Sequence, residues 1–458
     1  MRIRVFFRHQ HGLWWCLGGL LTTWILLAWL DRWETNVILD EVEGYGSITN
    51  SQESFPGKCR IRNFDNLKRM SIVYTWVNGS LPCYRETRQS FGGPKTVGGS
   101  RDREIGELMY SIRSLEKFMP WHEGNIYIVT PGHIPHWLNM SHPRIQVIHQ
   151  DDIFPASAKE FLPTFNTNVL EQFLYRIPGL SDIFMQINDD YIFTAPMTPH
   201  DLFSCDGGIQ VFREPNVIPH DGPTPTHGIW MSSVLHTQAV MDAKFGRSER
   251  HYLKHAPFIY SRRAFERLHQ IFSQPLLQTL SSRFRNRTDM NIPLLHHYYM
   301  VAQGTKEVSI PVNLLPLSDA SNFQLVLLRN DNMEVVRRTF QSILAQEHSS
   351  KVIALNDEYS DIAVADNVHW FLPQFLLTPS EFEKNQDAPP NPLSVYDENG
   401  TCTMDKSILG PALDSVTLES TPILRLQFKV QDGSLDASLL LASTKRSYLH
   451  QGNRPKKM

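Results

Sequence analysis

Two adjacent carboxylates, Asp189 and Asp190, follow Asn188 at the end of the apolar run Asp182–Ile187. Hard oxygen donors at the end of a buried strand can hold Mg²⁺ or Mn²⁺ against a diphosphate. A turn capped by Asn and Asp would read the same way. Further along, Arg283, Arg285 and Arg287 precede and flank a turn that ends in Asp289. Guanidinium forks match phosphate oxygens, and several together could neutralise a diphosphate as its charge moves. The alternative is a solvated basic stretch before a helix capped by Thr288 or Asp289. His255, in His255-Ala256-Pro257, could take a proton from a hydroxyl nucleophile, although a lone histidine is more often packed or exposed. Glu171 lies beside the apolar stripe of its segment, where a solvated face residue is the ordinary outcome. None of these groups decides alone; together they suit a site assembled from several loops.

The elements that must position them alternate between strand and helix. Ser71–Val77 is β-branched and aromatic and stops at Asn78-Gly79, a strand with its turn. Gly92–Ser100 reads as a mobile loop. Ile105, Leu108, Met109, Ile112, Leu115 and Met119 recur at helical spacing and stop at Pro120. Asn125–Thr130 and Arg144–His149 read as strands. Val169, Leu170, Phe173, Leu174 and Ile177 predict one helix ending at Pro178-Gly179. This order predicts an α/β fold, a Rossmann-like and mostly parallel sheet covered by helices. Ligands of such folds collect at the carboxyl ends of strands, where Asn188-Asp189-Asp190 stands. Beyond Asp206 the second half is more helical, with runs at Gly228–Phe245, Tyr260–Phe272 and Ile292–Ala302. Leu424–Val430 alternates like an edge strand, and Lys445–Met458 reads as disordered.

Taken together, these segments are similar to the signature regions of the Stealth family of sugar-phosphotransferases. Ile72-Val-Tyr-Thr-Trp-Val-Asn-Gly-Ser80 resembles its first region. Glu107–Ser114, Pro120-Trp121, Ile126–Thr130, Ile134–Leu138, Leu162–Phe165, Glu171, Arg176-Ile177 and Asn188–Asp190 resemble the second. His255-Ala256-Pro257 and Arg283-Phe-Arg285 with Asp289 resemble the third, and Leu355-Asn356-Asp357 the fourth. The family includes bacterial capsule polymerases, fungal xylosylphosphotransferases and the lysosomal-enzyme GlcNAc-1-phosphotransferase. The resemblance implies transfer of a sugar-1-phosphate from a nucleotide sugar to a glycan hydroxyl, forming a phosphodiester and releasing the nucleoside monophosphate. It implies Glu171, Asp190, His255 and Arg285 as catalytic, and Asp189 with Asp190 as ligands of Mg²⁺ or Mn²⁺. Trp76, Asn78, Gly79, Arg101, Arg283 and Asp289 are then expected at the substrate, while Arg287 has no matched role. Ser71, Leu81, Ile105 and Ala354 depart from the usual residues, which puts the nucleotide or metal contact beside the first strand in doubt. An ordinary metal-dependent glycosyltransferase and a catalytically silent glycan-binding relative remain as alternatives.

The flanks bear on where such chemistry would occur. Gly12–Leu30 carries no charged residue and is long enough for a bilayer core. Arg2, Arg4 and Arg8 precede it and acidic residues follow, which predicts a single-pass anchor with the body in the Golgi lumen. The expected division is a cytoplasmic tail 1–11, an anchor 12–30, a stem 31–67, a catalytic domain 68–385 and a variable tail 386–458. Cys59, Cys83, Cys205 and Cys402 allow disulfides or buried thiols without fixing a pairing. Sequons stand at Asn78, Asn139, Asn286 and Asn399, of which Asn139 and Asn399 are the expected glycosylation sites. A formal net charge of -3 gives no reason to expect a nucleic-acid partner. The expected partners are a nucleotide-sugar donor, a glycan acceptor and the membrane; self-association is left open.

Overall fold

The computed structural model describes residues 58–92, 103–316, 322–385 and 387–391, with strand segments at 395–396, 402–403, 426–431 and 434–439. The anchor segment 12–30, Arg101, Asn399 and the tail 445–458 lie outside the described residues. Among the described residues no helix is long and apolar enough to cross a membrane. A compact unit begins at Arg60. Ile61 and Leu67, from the expected stem, are already buried in its core.

The main sheet runs β3-β2-β1-β4 in parallel, from β1 (Ser71–Thr75), β2 (Ile126–Thr130), β3 (Ile145–His149) and β4 (Ile183–Asn188). β1 and β2 are buried almost throughout, as expected of parallel strands covered on both faces. The chain order reverses between β1 and β4, so their carboxyl ends frame a topological switch point, the usual ligand crevice of open α/β sheets. Trp76–Gly79 leaves one of these ends and Asp189-Asp190 the other.

From Asp189-Asp190 the chain passes directly into β5 (Tyr191–Phe193), which belongs to a second sheet. There β11 (Phe323–Leu328) pairs in parallel with β12 (Val352–Asp357), and β12 pairs antiparallel with β5. Tyr191 and Phe193 pack into the main core, whereas Ile192 packs into a second one. The carboxylate pair therefore sits at the seam between two sheets.

Helix α2 (Glu107–Phe118) spans the same seam, with Leu108, Ile112 and Leu115 buried one to two turns apart. It starts after Gly106, whose φ of 91° is a region open to glycine. It ends before Pro120, as its pattern predicts. The helix expected over Val169–Ile177 is instead broken. Only α3 (Thr167–Glu171) is α-helical, and a 3₁₀ turn follows at Leu174–Arg176. The Gln172 carbonyl, which would accept an in-helix bond, faces the His269 ring at 3.0 Å. The apolar side chains are still buried, so burial was legible where helix continuity was not.

Helix α1 (Pro82–Ser90) follows the turn after β1, and in the more helical second half the chain forms α4 (Ile229–Phe245), α5 (Arg262–Ile271), α6 (Ser273–Leu280) and α7 (Ile292–Tyr299). β6 (Ile209–Val211) pairs in parallel with β10 (Val312–Leu314), and β7 (Arg213–Val217) and β8 (His251–Leu253) form an antiparallel pair. β9 (Phe258–Ser261) then adds antiparallel to β4, with Phe258 opposite Gln186. His255-Ala256-Pro257, just before β9, thus lies toward the carboxyl end of β4. The expected edge strand near Leu424 is present as Leu426–Gln431, paired in a hairpin with Ser434–Leu439. Cys59, Cys83 and Cys205 are each disulfide-bonded.

Candidate active site

The seam gathers more carboxylates than the adjacent pair. Asp189 feels Asp190, Glu104 and Asp357, and Glu107 feels Asp189, Glu104 and Asp357. Burial, more than this mutual repulsion, raises every one of them. Asp189 and Glu107 lie well above the ordinary carboxylate range, and Glu104 is also raised. Asp190 is pushed up to about 7 by burial, against its own backbone N–H and with Asp357 adding to the rise. Asp357 is pushed up to about 6 by burial, opposed by the Arg103 guanidinium. Asp189 and Asp190 retain some exposed surface although both are set deep in the protein.

Local bonds fix the cluster's orientation. The Trp76 indole N–H donates to Glu104 Oε2 at 2.6 Å, and the Gly106 N–H donates to Glu104 Oε1 at 2.7 Å. The first strand is thereby tied to the start of α2. The Leu355 N–H donates to the Asp190 carbonyl at 2.9 Å, holding β12 and Asp357 beside the turn. Arg103 lies over the Tyr359 ring at 4.0 Å and donates to its carbonyl at 2.9 Å. Asn188 points back into the sheet, accepting from Thr75 Oγ1 at 3.2 Å and Gln186 Nε2 at 2.9 Å. Of the Asn-Asp-Asp run, the two aspartates remain for chemistry.

The donor set suits Mg²⁺ or Mn²⁺, since every nearby acidic ligand is a hard carboxylate. Asp190 Oδ1 and Asp357 Oδ1 are buried without a hydrogen-bond partner. Among the described residues no three acidic, histidine or cysteine side chains already converge on one point. The residues fit a divalent cation by charge and by these unsatisfied oxygens.

Glu171, at the end of α3, is buried and raised to about 7 by desolvation, with Arg285 opposing the rise. Arg285 Nη2 donates to Thr167 Oγ1, one helical turn away, at 2.7 Å. Glu171 also bears on the hydroxyls of Tyr191, next to Asp190, and Tyr260 on β9. This links the second sequence region to the third. His255 is half-buried in the β8–β9 connection.

Asn78 is buried, its Oδ1 accepting from the Ser80 N–H at 3.0 Å and its own N–H donating to His133 Nδ1 at 3.0 Å. Burial, with His149 adding to it, holds His133 down to about 3, so the ring is neutral and accepts at Nδ1. Gly79 follows in the same buried turn. Arg283 holds the Pro163 and Leu162 carbonyls at 2.9 and 3.3 Å and lies over the Phe91 ring. Asp289 is fully buried, its Oδ2 accepting from Asn166 Nδ2 and the Asn286 N–H, both at 2.7 Å. Arg283 and Asp289 thus brace the loops that carry Thr167 and Arg285. Arg287 has a role the sequence did not suggest: it donates to the carbonyls of His227, at 2.6 Å, and Thr224.

Residues 101–211 match the Stealth protein conserved region 2, and residues 254–302 match conserved region 3. The chain thus carries two conserved regions of the Stealth family. Glu104, Glu107, Glu171, Asp189 and Asp190 fall in its region 2, and His255, Arg283, Arg285 and Asp289 in its region 3. Two exopolysaccharide phosphotransferases of Streptomyces coelicolor are 32% and 30% identical to it, over 70% and 69% of this chain and 53% and 52% of theirs. The chain therefore spans about half the length of these relatives. A capsular polysaccharide phosphotransferase of Haemophilus influenzae is 26% identical over 57% of this chain and 75% of its own. Among solved structures, a galactosyltransferase in complex with donor and acceptor sugar analogues matches 68% of this chain and 98% of its own, with 12% identity and a TM-score of 0.35.

Sequence reasoning missed Glu104, Glu107 and Asp357 as members of the carboxylate cluster, and His133 as the partner of Asn78. Glu104 and Glu107 had a usable signal, since both lie at the predicted start of the helix after the first strand. Asp357 had none without the strand pairing, which brings β12 beside β5.

Proposed function

We propose that this protein transfers a sugar-1-phosphate from a nucleotide sugar to a glycan hydroxyl. The observation that supports it best is the pairing of two unlike centres at one switch point. One is a carboxylate cluster suited to a divalent cation; the other is the Glu171–Arg285 couple, suited to a proton and a phosphate. UDP-GlcNAc and UDP-xylose are the first donors to test, with mannose hydroxyls as acceptors. The acceptor oxygen attacks the β-phosphorus and the bond from that phosphorus to the bridging oxygen of the α-phosphate breaks. UMP leaves with the bonding pair, and the hydroxyl proton passes to a base. His255 or Glu171 takes that proton, and Arg285 binds the transferred phosphate. Asp189 and Asp190, with Asp357 beside them, would hold Mg²⁺ or Mn²⁺, which supplies charge neutralisation of the diphosphate when bound.

The expected products are UMP and an acceptor carrying a phosphodiester-linked sugar, read by nucleotide chromatography and ³¹P NMR. Release of UDP with a phosphorus-free glycan product would overturn the proposal in favour of glycosyl transfer.

The proposed setting is the Golgi lumen, with Gly12–Leu30 as a signal anchor. The three disulfide-bonded cysteines support an oxidising compartment. Protease added to intact vesicles is expected to spare the body and to digest it once detergent is present. Digestion without detergent would refute this topology.

A further inference from the structure

The structure leaves an aromatic shelf beside the segments that carry His255 and Arg285. Ile229 and Trp230, at the start of α4, are 48% and 42% exposed, and Val217, at the end of β7, is 44% exposed. Trp230 stacks against Tyr252 of β8, with ring centroids 6.1 Å apart and planes 27° from parallel. The Tyr252 hydroxyl donates to Met231 Sδ at 3.3 Å, which fixes the ring from its far end. An exposed indole backed by a second ring presents a flat apolar surface at little cost in side-chain freedom.

Both edges of this shelf are tied to the proposed chemistry. Tyr252 in β8 stands three residues before His255, which lies in the short connection that follows. On the other edge Arg287, two residues from Arg285, clamps the carbonyls of Thr224 and His227. The His227 ring closes that turn by accepting the Thr224 N–H at 3.0 Å. Gly228 and then α4 follow at once, so the turn sets the position of Trp230. A polar group stands three residues before Tyr252: Glu249, 72% exposed in its side chain, approaches His251 Nε2 at 3.1 Å.

We propose that Trp230 and Tyr252 form the floor of an acceptor-sugar subsite. A pyranose lays the apolar C–H face of its ring on the indole and leaves its hydroxyls free to hydrogen-bond. The proposal rests on the sugar-phosphate transfer reading and names the surface that receives its second substrate. A few side chains do not supply the roughly 800 Å² per partner that a stable protein interface buries, which favours a sugar ring over a second copy of the chain.

The test uses the full-length chain, its Trp230→Ala and Trp230→Phe variants, and oligosaccharides of mannose, glucose and galactose as probes. Saturation-transfer NMR reads sugar binding directly, without turnover. Wild type and Trp230→Phe are expected to bind at least one probe, and Trp230→Ala to bind it at least tenfold more weakly. In turnover, the acceptor KM should rise by the same factor while the donor KM moves less than twofold. Equal binding by wild type and Trp230→Ala overturns the subsite, as does failure of the wild type to bind any probe. Unchanged sugar binding together with a shift from dimer to monomer in sedimentation overturns it in favour of a contact between copies. If no donor yields UMP while the probes bind through Trp230, the transfer reading fails and the sugar shelf stands.

Discussion

Replacing Asp190 with Asn is expected to abolish turnover, by roughly a thousandfold or more, while stabilising the cation-free protein at pH 8. The stability half follows from the cluster's titration. Asp190 is raised to about 7 and Asp357 to about 6, and Asp189 and Glu107 are raised well above the ordinary carboxylate range, in each case chiefly by burial. Between the ordinary carboxylate range and these values the folded chain holds more protons than the unfolded one. Stability therefore falls as pH rises through that window, and the Asp190 share of the loss is complete only above about 7. An amide at 190 carries no charge to desolvate, so the variant should gain roughly 1–3 kcal/mol at pH 8 and almost nothing at pH 4. A divalent cation offsets the same penalty in the wild type, so Mn²⁺ should raise the wild-type melting temperature more at pH 8 than at pH 5.5. Melting curves of both proteins at these pH values, with chelator and with Mn²⁺, read every term. Full activity of the wild type in excess chelator would end the metal role.

How far the site was legible in the sequence follows from how local each signal is. β1, β2, β3 and β4 each announce themselves by a run of β-branched and aromatic residues, and α2 by its spacing and by Pro120. The place of Asp189-Asp190 at a strand end needed only the apolar run before it. The seam between two sheets was hidden, because β5 is a three-residue strand whose partner β12 lies far along the chain. Asp357 joins the cluster only through that pairing. The roles of the arginines were hidden for a similar reason. Spacing alone makes Arg283, Arg285 and Arg287 equivalent, whereas their partners lie in three separate segments: Leu162-Pro163, Thr167 at the start of α3, and Thr224–His227. What each arginine braces is therefore set by its tertiary partner, which its spacing does not reveal.

That division shapes the second large effect. Arg285→Ala is expected to lower turnover by a factor of about a hundred to a thousand, the worth of roughly 3–4 kcal/mol from one charge-assisted contact in the transition state. Donor affinity should fall much less, because the contact strengthens as charge moves onto the transferred phosphate. Arg285→Lys should rescue poorly, since an ammonium cannot reproduce a two-pronged contact. Arg287→Ala, which equal spacing would suggest as a mild control, is unsuitable. Its guanidinium holds the turn before α4, and its loss would disturb Trp230 as well. Thr167→Val is the better control. It removes the hydroxyl that accepts from Arg285 Nη2 and keeps the cation. If Arg285 serves only to brace α3, Thr167→Val and Arg285→Ala should lower the melting temperature together, and turnover should follow stability. If it clamps phosphate, Thr167→Val should cost clearly less than Arg285→Ala, about tenfold in turnover, the low end of the roughly 1.5–3 kcal/mol of a hydrogen bond to a charged group. Arg285→Ala should then be slow while still folded. Its loss also removes the cation that opposes the rise at Glu171, so the Glu171 carboxyl should titrate higher still. The acidic limb of the residual activity should move to higher pH if Glu171 must ionise to act as base. A stable Arg285→Ala protein with near-normal turnover would remove Arg285 from the chemistry.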